Sequence, residues 1–103
     1  MNVFLSPLAE FKLNLILEYL ASEWGEKSKK KFLSKLEASI NQISEFPESN
    51  QKTEELGGFY KCVVTKQTSL FYRITDDEIE VITVIDNRQD PKSIIEEIRR
   101  HFT

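Results

Sequence analysis

The chain is poor in the residues from which most catalytic and metal sites are made. Its 103 residues include one cysteine, Cys62, and one histidine, His101. A single cysteine closes no internal disulfide and supplies no zinc framework, which points to a reducing compartment. A Cys62 thiolate would need a neighbouring base. His101 instead follows Arg99 and Arg100, the kind of basic cluster that meets a helix dipole at its C-terminal end. Ser–His, Cys–His and multi-histidine chemistry therefore lack their parts, and neither a metal nor a cofactor is expected. Cys62 reads as a small buried hydrophobe in a strand. Three glycines and three prolines exclude a collagenous or linker-like chain. No apolar run approaches a membrane span and Met1–Phe4 has no basic flank, so neither a membrane partner nor a signal peptide is expected, and the expected location is the cytoplasm. Basic residues are not in excess either. Fourteen Lys and Arg against 17 Asp and Glu leave a net charge of −3, the wrong global sign for bulk attraction to nucleic acid.

What is present is the composition of one soluble globular domain, 40% hydrophobic and 30% charged, spanning residues 1–103. Asn2–Leu5 predicts a short strand, followed by Ser6 as helix N-cap and Pro7 as first helical residue. The first helix should run to about Trp24, with Gly25 as its stop. It carries two apolar stripes, Leu8, Phe11, Leu15 and Tyr19, and Leu13, Ile16, Leu17, Leu20 and Trp24, roughly 140° apart at 100° per residue. One stripe can cover a sheet; the other needs a different cover. A second helix from about Glu26 to Phe46, stopped by Pro47, has a single stripe of Phe32, Leu33, Leu36, Ile40 and Ile43. Joined at Gly25, the two form an antiparallel hairpin, and the second helix is the simplest cover for part of the extra stripe.

Residues 47–55 are polar and predict a surface loop. The apolar period then changes from 3.6 to 2. Strands are predicted over Phe59–Val64, Leu70–Ile74 and Ile79–Ile85, separated by spacers short enough for hairpins, with Gly57-Gly58 permitting a bend before the first. Asp90-Pro91 opens a last helix carrying Ile94, Ile95, Ile98 and Phe102 on one side. The expected fold is a small α+β domain, β-α-α-β-β-β-α, with an antiparallel sheet and the helical hairpin packed on one face.

The charge is unevenly distributed. Leu56 to Thr75 contains Lys61, Lys66 and Arg73 and no acid. Lys61 and Arg73 sit mid-strand between apolar neighbours, so they should project from the sheet face opposite the helices, with Arg88 in the loop at the sheet's end. Such a set suits an anionic partner, RNA phosphate or an acidic protein segment, although strands with one solvated face carry such residues routinely. Lys27, Lys29, Lys30, Lys31 and Lys35 crowd the first half of the second helix and read as a solvated face.

The order of these motifs resembles the RelE/ParE superfamily of type II toxin–antitoxin toxins over nearly the whole chain. The resemblance is carried by the strand running into Ser6-Pro7-Leu8-Ala9, by Phe32–Leu36 and Ile40–Pro47, by Phe59–Val64 and Leu70–Ile74, and by Val84–Pro91 with Arg88. It implies a growth-inhibiting toxin neutralised by a cognate antitoxin, in a hetero-oligomer with it. A ParE-like member would bind a protein target such as DNA gyrase and carry no catalytic residues. A RelE-like member would be an endoribonuclease cutting mRNA on the ribosome, with Lys61, Arg73 and Arg88 stabilising the charge. A third alternative is a non-toxic member that only binds antitoxin. The sequence departs from the RelE pattern at Ser69, where an arginine is expected, and at Phe102, which has no hydroxyl where a tyrosine is usual. Asp86 stands where many members have a histidine. The resemblance also implies an antitoxin-binding surface on the first helix, for which the second stripe offers Leu13, Leu17, Leu20 and Trp24.

Overall fold

A computed structural model of the chain describes residues 1–54 and 57–102. Glu55 and Leu56, at the end of the predicted loop and the start of the acid-free stretch, lie outside the described residues.

Ser6 ends the strand β1 (Asn2–Leu5) and starts the helix α1 (Pro7–Trp24). Its backbone is extended and its Oγ accepts from the Ala9 amide at 3.0 Å, the ordinary geometry of an N-cap. Gly25, at φ +91°, turns the chain directly into α2 (Glu26–Glu45). That positive φ requires glycine. α2 ends one residue short of Phe46, whose amide bonds back to the Gln42 carbonyl.

The polar segment after Pro47 is not wholly a loop. Gln51–Thr53 forms an edge strand, β2, antiparallel to β3 (Phe59–Val63). Two further strands, β4 (Thr68–Thr75) and β5 (Glu78–Asp86), complete the meander before α3 (Pro91–Phe102). The sheet order is β1-β5-β4-β3-β2, with β1 parallel to β5 and every other pairing antiparallel. The domain is thus α+β with a five-stranded mixed sheet, two strand pairings richer than the predicted meander.

The hairpin of α1 and α2 covers one sheet face. Ala9, Leu13, Phe32, Leu36 and Ile43 pack there against Cys62, Leu70, Tyr72, Ile79, Val81 and Val84. The other face is not open as predicted, because α3 lies on it. Ile94 and Ile98 close over Phe71, Ile82 and Ile85, with Phe59 and Phe102 at the margin. Burying apolar residues on both sides of β4 and β5 makes these strands the centre of the molecule.

One irregularity decides where the functional residues point. Phe71 pairs with Thr83 and Tyr72 with Val81, so Ile82 is an extra residue in β5. This β-bulge shifts the alternation of the strand by one. Glu80 and Ile82 face α3, but beyond the bulge Val84 returns to the hairpin side. Ser6 anchors the bulge: its Oγ donates to the Ile82 carbonyl at 2.7 Å and its amide donates to the Val81 carbonyl at 2.9 Å.

Candidate functional site

The three predicted cations fall on two different surfaces. Lys61 pairs with Phe71 across the sheet, and Arg73 lies two residues further along β4, so both point to the α3 face. Diagonal neighbours of this kind lie about 7–8 Å apart. Arg73 is already engaged: its Nη2 lies 2.7 Å from Glu80 Oε1, and its guanidinium sits 5.8 Å from the centroid of the Phe102 ring. Phe102, where the RelE pattern has a tyrosine, therefore stacks against an internal ion pair.

Arg88 is elsewhere. It follows β5, eight residues after Glu80 and past about 20 Å of strand, and the bulge has by then moved the chain onto the hairpin side. Its Nη2 lies 2.6 Å from Asp86 Oδ2, while its Nε and its backbone amide donate to Asp86 Oδ1 at 3.0 and 2.9 Å. These hydrogen bonds hold the Asp86 carboxyl down at about 2, well below its ordinary 3.8. Asp86, in the place of the histidine common in the resembled superfamily, is a permanent anion that grips Arg88.

Arg88 lines a cleft of about 510 Å³ that the sequence reading missed. Its apolar lining comes from Leu15, Ile16 and Leu20 of α1, Phe32 of α2 and Val84 of β5. Lys12, Lys31 and Lys35 line it too, together with the β3–β4 turn at Thr65 and Gln67. The available signals were the lysine run and Arg88 itself. What they lacked was the bulge that brings the end of β5 beneath α1.

The apolar stripes of α1 are not equally exposed, which bears on the expected docking surface. Leu13 is 9% exposed and belongs to the core, and Leu17 and Leu20 pack against that core half-buried. Of the four residues assigned to the antitoxin, Trp24 alone stands well clear, at 69%. The stripe without internal cover is the first one: Phe11 is 61%, Leu15 50% and Tyr19 59% exposed. The shorter aliphatic side chains fit between α2 and the sheet, which leaves the aromatic side outside.

The remaining titratable groups support packing. Burial pushes the Cys62 thiol up, opposed by a hydrogen bond with Ser39. Tyr72 is also raised by burial, with Asn50 opposing. Its hydroxyl donates to the Pro47 carbonyl at 2.6 Å and accepts from Asn50 Nδ2 at 3.1 Å, and its ring stacks on Tyr60 at 5.3 Å. Neither group opens onto a cluster suited to nucleophilic chemistry. Among the described residues no three His, Cys, Asp or Glu side chains are grouped to hold a metal ion, and no helix is long and apolar enough to cross a membrane.

Comparison with known proteins agrees with this architecture. Residues 3–91 match the model of the family described as the ParE toxin of the type II toxin-antitoxin system, parDE. Toxin ParE1 of Mycobacterium tuberculosis is 28% identical over 87 residues, covering 84% of this chain and 89% of that protein. The fold is similar to a structure of the chromosomal ParDE TA system from P. aeruginosa, with a TM-score of 0.71 at 14% identity over 84% of this chain and 95% of the other. It is also similar to a copper-bound mutant toxin from Helicobacter pylori, with a TM-score of 0.58 at 14% identity over 85% and 96%. With nearly nine-tenths of its length matched by that family model, the chain belongs to the ParE toxin family of type II toxin–antitoxin systems.

Proposed function

We propose that this chain acts in the cytoplasm by binding a protein target such as DNA gyrase, that it performs no RNA cleavage, and that a cognate antitoxin neutralises it by seating on the α1–α2 hairpin. The observation that carries the first part is the division of the cations. A phosphoryl-transfer site needs its positive groups around one phosphate, pre-oriented on the charge that develops. Here Arg73 lies with Glu80 on one face and Arg88 with Asp86 at the other end of the sheet, so the two cannot close on one phosphate. Phe102 has no hydroxyl to move a proton, and the carboxylate beside Arg73, that of Glu80, is held in the ion pair.

The exposed ridge of Phe11, Leu15 and Tyr19, with Trp24 exposed separately at the end of the helix, supports the second part. Contiguous exposed apolar surface of this kind marks an interaction site. Leu20, which lines the cleft beside Tyr19, would contribute at its edge, while Leu17 lies on the other flank of the helix and Leu13 is withdrawn into the core.

The test is expression from a tight inducible promoter, followed after growth arrest by parallel measurement of translation and of gyrase supercoiling in lysate. Loss of supercoiling with translation intact is expected. Loss of translation alone would refute the target assignment and restore the endoribonuclease reading. Absence of arrest would leave only antitoxin binding. Lys61→Ala and Arg73→Ala should preserve toxicity as soluble proteins, and abolished toxicity in both would count against a non-enzymatic mode.

A further inference from the structure

The lysine run of α2 works against its own helix. Between residues 26 and 35 there are five lysines and one glutamate. Lys27 and Lys29 stand in the first turn, where the helix dipole is positive and cations are unfavourable. Lys27 and Lys31, like Lys31 and Lys35, are one turn apart and repel. Gly25 offers α2 no side-chain cap. Nor are these charges neutralised across the fold: the ion pairs among the described residues are Lys12–Glu97, Arg73–Glu80 and Arg88–Asp86. Residues that break a local rule without local gain are the ones expected to serve a function.

Two of these lysines, Lys31 and Lys35, line the cleft together with Leu15, Tyr19 and Arg88. We infer that Lys31, Lys35 and Arg88 form a charge-reading rim, and that the cleft takes an amphipathic helix of the antitoxin whose apolar stripe is bordered by glutamates or aspartates. This rests on the proposed antitoxin seat and deepens it into a rule of partner choice. The helical form follows from the ridge: Phe11, Leu15 and Tyr19 recur one turn apart, and such a row is complemented by anchors at i, i+3 or i+4, and i+7 of a partner helix. The acidic border follows from charge. A second copy of this chain is a poor occupant, because an isologous contact sets the same patch against itself and would bring lysine to lysine.

Asp86 is the positioning residue of this rim. It engages Arg88 through Nε and Nη2, the fork on one side of the guanidinium, and leaves the Nη1 side for an incoming carboxylate. An exposed arginine free to sample its rotamers would lose that freedom on binding; one already clamped loses less. Asp86 stays ionised across the physiological range, so the clamp is in place whenever a partner arrives. A histidine here could not grip the guanidinium through two oxygens.

Two synthetic helical peptides with the same leucine stripe, one bordered by glutamates and one by lysines, test the inference by fluorescence anisotropy against the full chain. The glutamate peptide should bind at least about tenfold more tightly in low salt. The difference should collapse near 0.5 M salt, where screening shortens to about 4 Å. The pair Lys31→Ser with Lys35→Ser, and separately Arg88→Ala, should each weaken the glutamate peptide by about three- to fivefold and leave the lysine peptide no weaker. Asp86→Asn should reproduce the Arg88→Ala loss, and the D86N/R88A double variant should lose no more than R88A alone. Additive losses, or an Asp86→Asn chain that binds as wild type, would overturn the positioning role. Equal affinity for the two peptides would overturn the charge rule while leaving the seat standing. Binding of neither would overturn the seat itself. A dimer of the chain alone that Leu15→Lys dissociates would replace the antitoxin helix with a second copy.

Discussion

Ser6→Ala should be far more costly than the loss of an ordinary helix cap. The Ser6 hydroxyl is buried and makes two hydrogen bonds, accepting from the Ala9 amide at 3.0 Å and donating to the Ile82 carbonyl at 2.7 Å. The first caps α1, and removing such a cap costs about 1 kcal/mol. The second satisfies a carbonyl of the bulge residue, which the strand ladder leaves over, and a buried carbonyl stripped of its partner costs about 1–3 kcal/mol more. The expected loss is therefore about 2–4 kcal/mol, or roughly 10–25 °C in melting temperature for a domain of this size. Urea unfolding followed by circular dichroism would measure it, with an unchanged m-value showing that the same cooperative unit unfolds. Glycine is nearly as good a cap as serine, so Ser6→Gly should recover about 1 kcal/mol of the alanine loss and no more. Ser6→Asp, which accepts but cannot donate once ionised and brings a charge into a closed site, should be no better than alanine. An alanine loss below about 1 kcal/mol, or full recovery in Ser6→Gly, would refute the double role.

Tyr72→Phe leaves the Pro47 carbonyl without its donor and takes one partner from Asn50, and should cost about 1–2 kcal/mol in urea unfolding; an unchanged midpoint would refute a role for the hydroxyl in fixing the α2–β2 connection. Cys62 is buried and its thiol is pushed up, so the native chain near pH 8 should react with a disulfide reagent far more slowly than the urea-unfolded chain; equal rates would show the site to be open. The Asp86 carboxyl is depressed to about 2 from an ordinary 3.8, so its contribution to stability is present above pH 4 and disappears as pH falls toward 2. Asp86→Asn should flatten the acid limb in that window by a small, salt-sensitive amount, since the pair is solvated, and parallel limbs at low salt would refute it.

The helix boundaries were legible because they are made by local chemistry. Ser6-Pro7 and Gly25 act through their own dihedrals and hydrogen bonds, and the structure begins and ends α1 where they stand. β2 was not legible: Gln51-Lys52-Thr53 has no apolar alternation, and it becomes a strand through its partner β3, reached by a turn in which Gly57 and Gly58 both adopt positive φ. The parallel pairing of β1 with β5 joins residues more than seventy apart in the chain, which no local pattern encodes. On α1 the periodicity correctly showed two apolar stripes, but choosing between them needed the shape of the space beneath, which admits Ala9 and Leu13 and leaves Phe11 and Tyr19 outside.

The site depends on a shift of one residue. Period-two counting correctly puts Lys61 and Arg73 on one face. Continued along β5 from Glu80, the same counting would bring Asp86 to that face as well, with Arg88 beside it in a single basic site. The extra residue Ile82 inverts the phase, so Asp86 and Arg88 emerge at the hairpin cleft instead. A bulge announces itself poorly in sequence, because Ile82 is as good a strand residue as its neighbours. Its anchor lies 76 positions away, in Ser6. The residue that starts the first helix thereby also fixes which surface Arg88 serves, and a chain with Ser6 weakened should lose partner selectivity before it loses its fold. That ordering is measurable as a reduced glutamate-over-lysine peptide preference in Ser6→Gly at temperatures where its circular dichroism is still native.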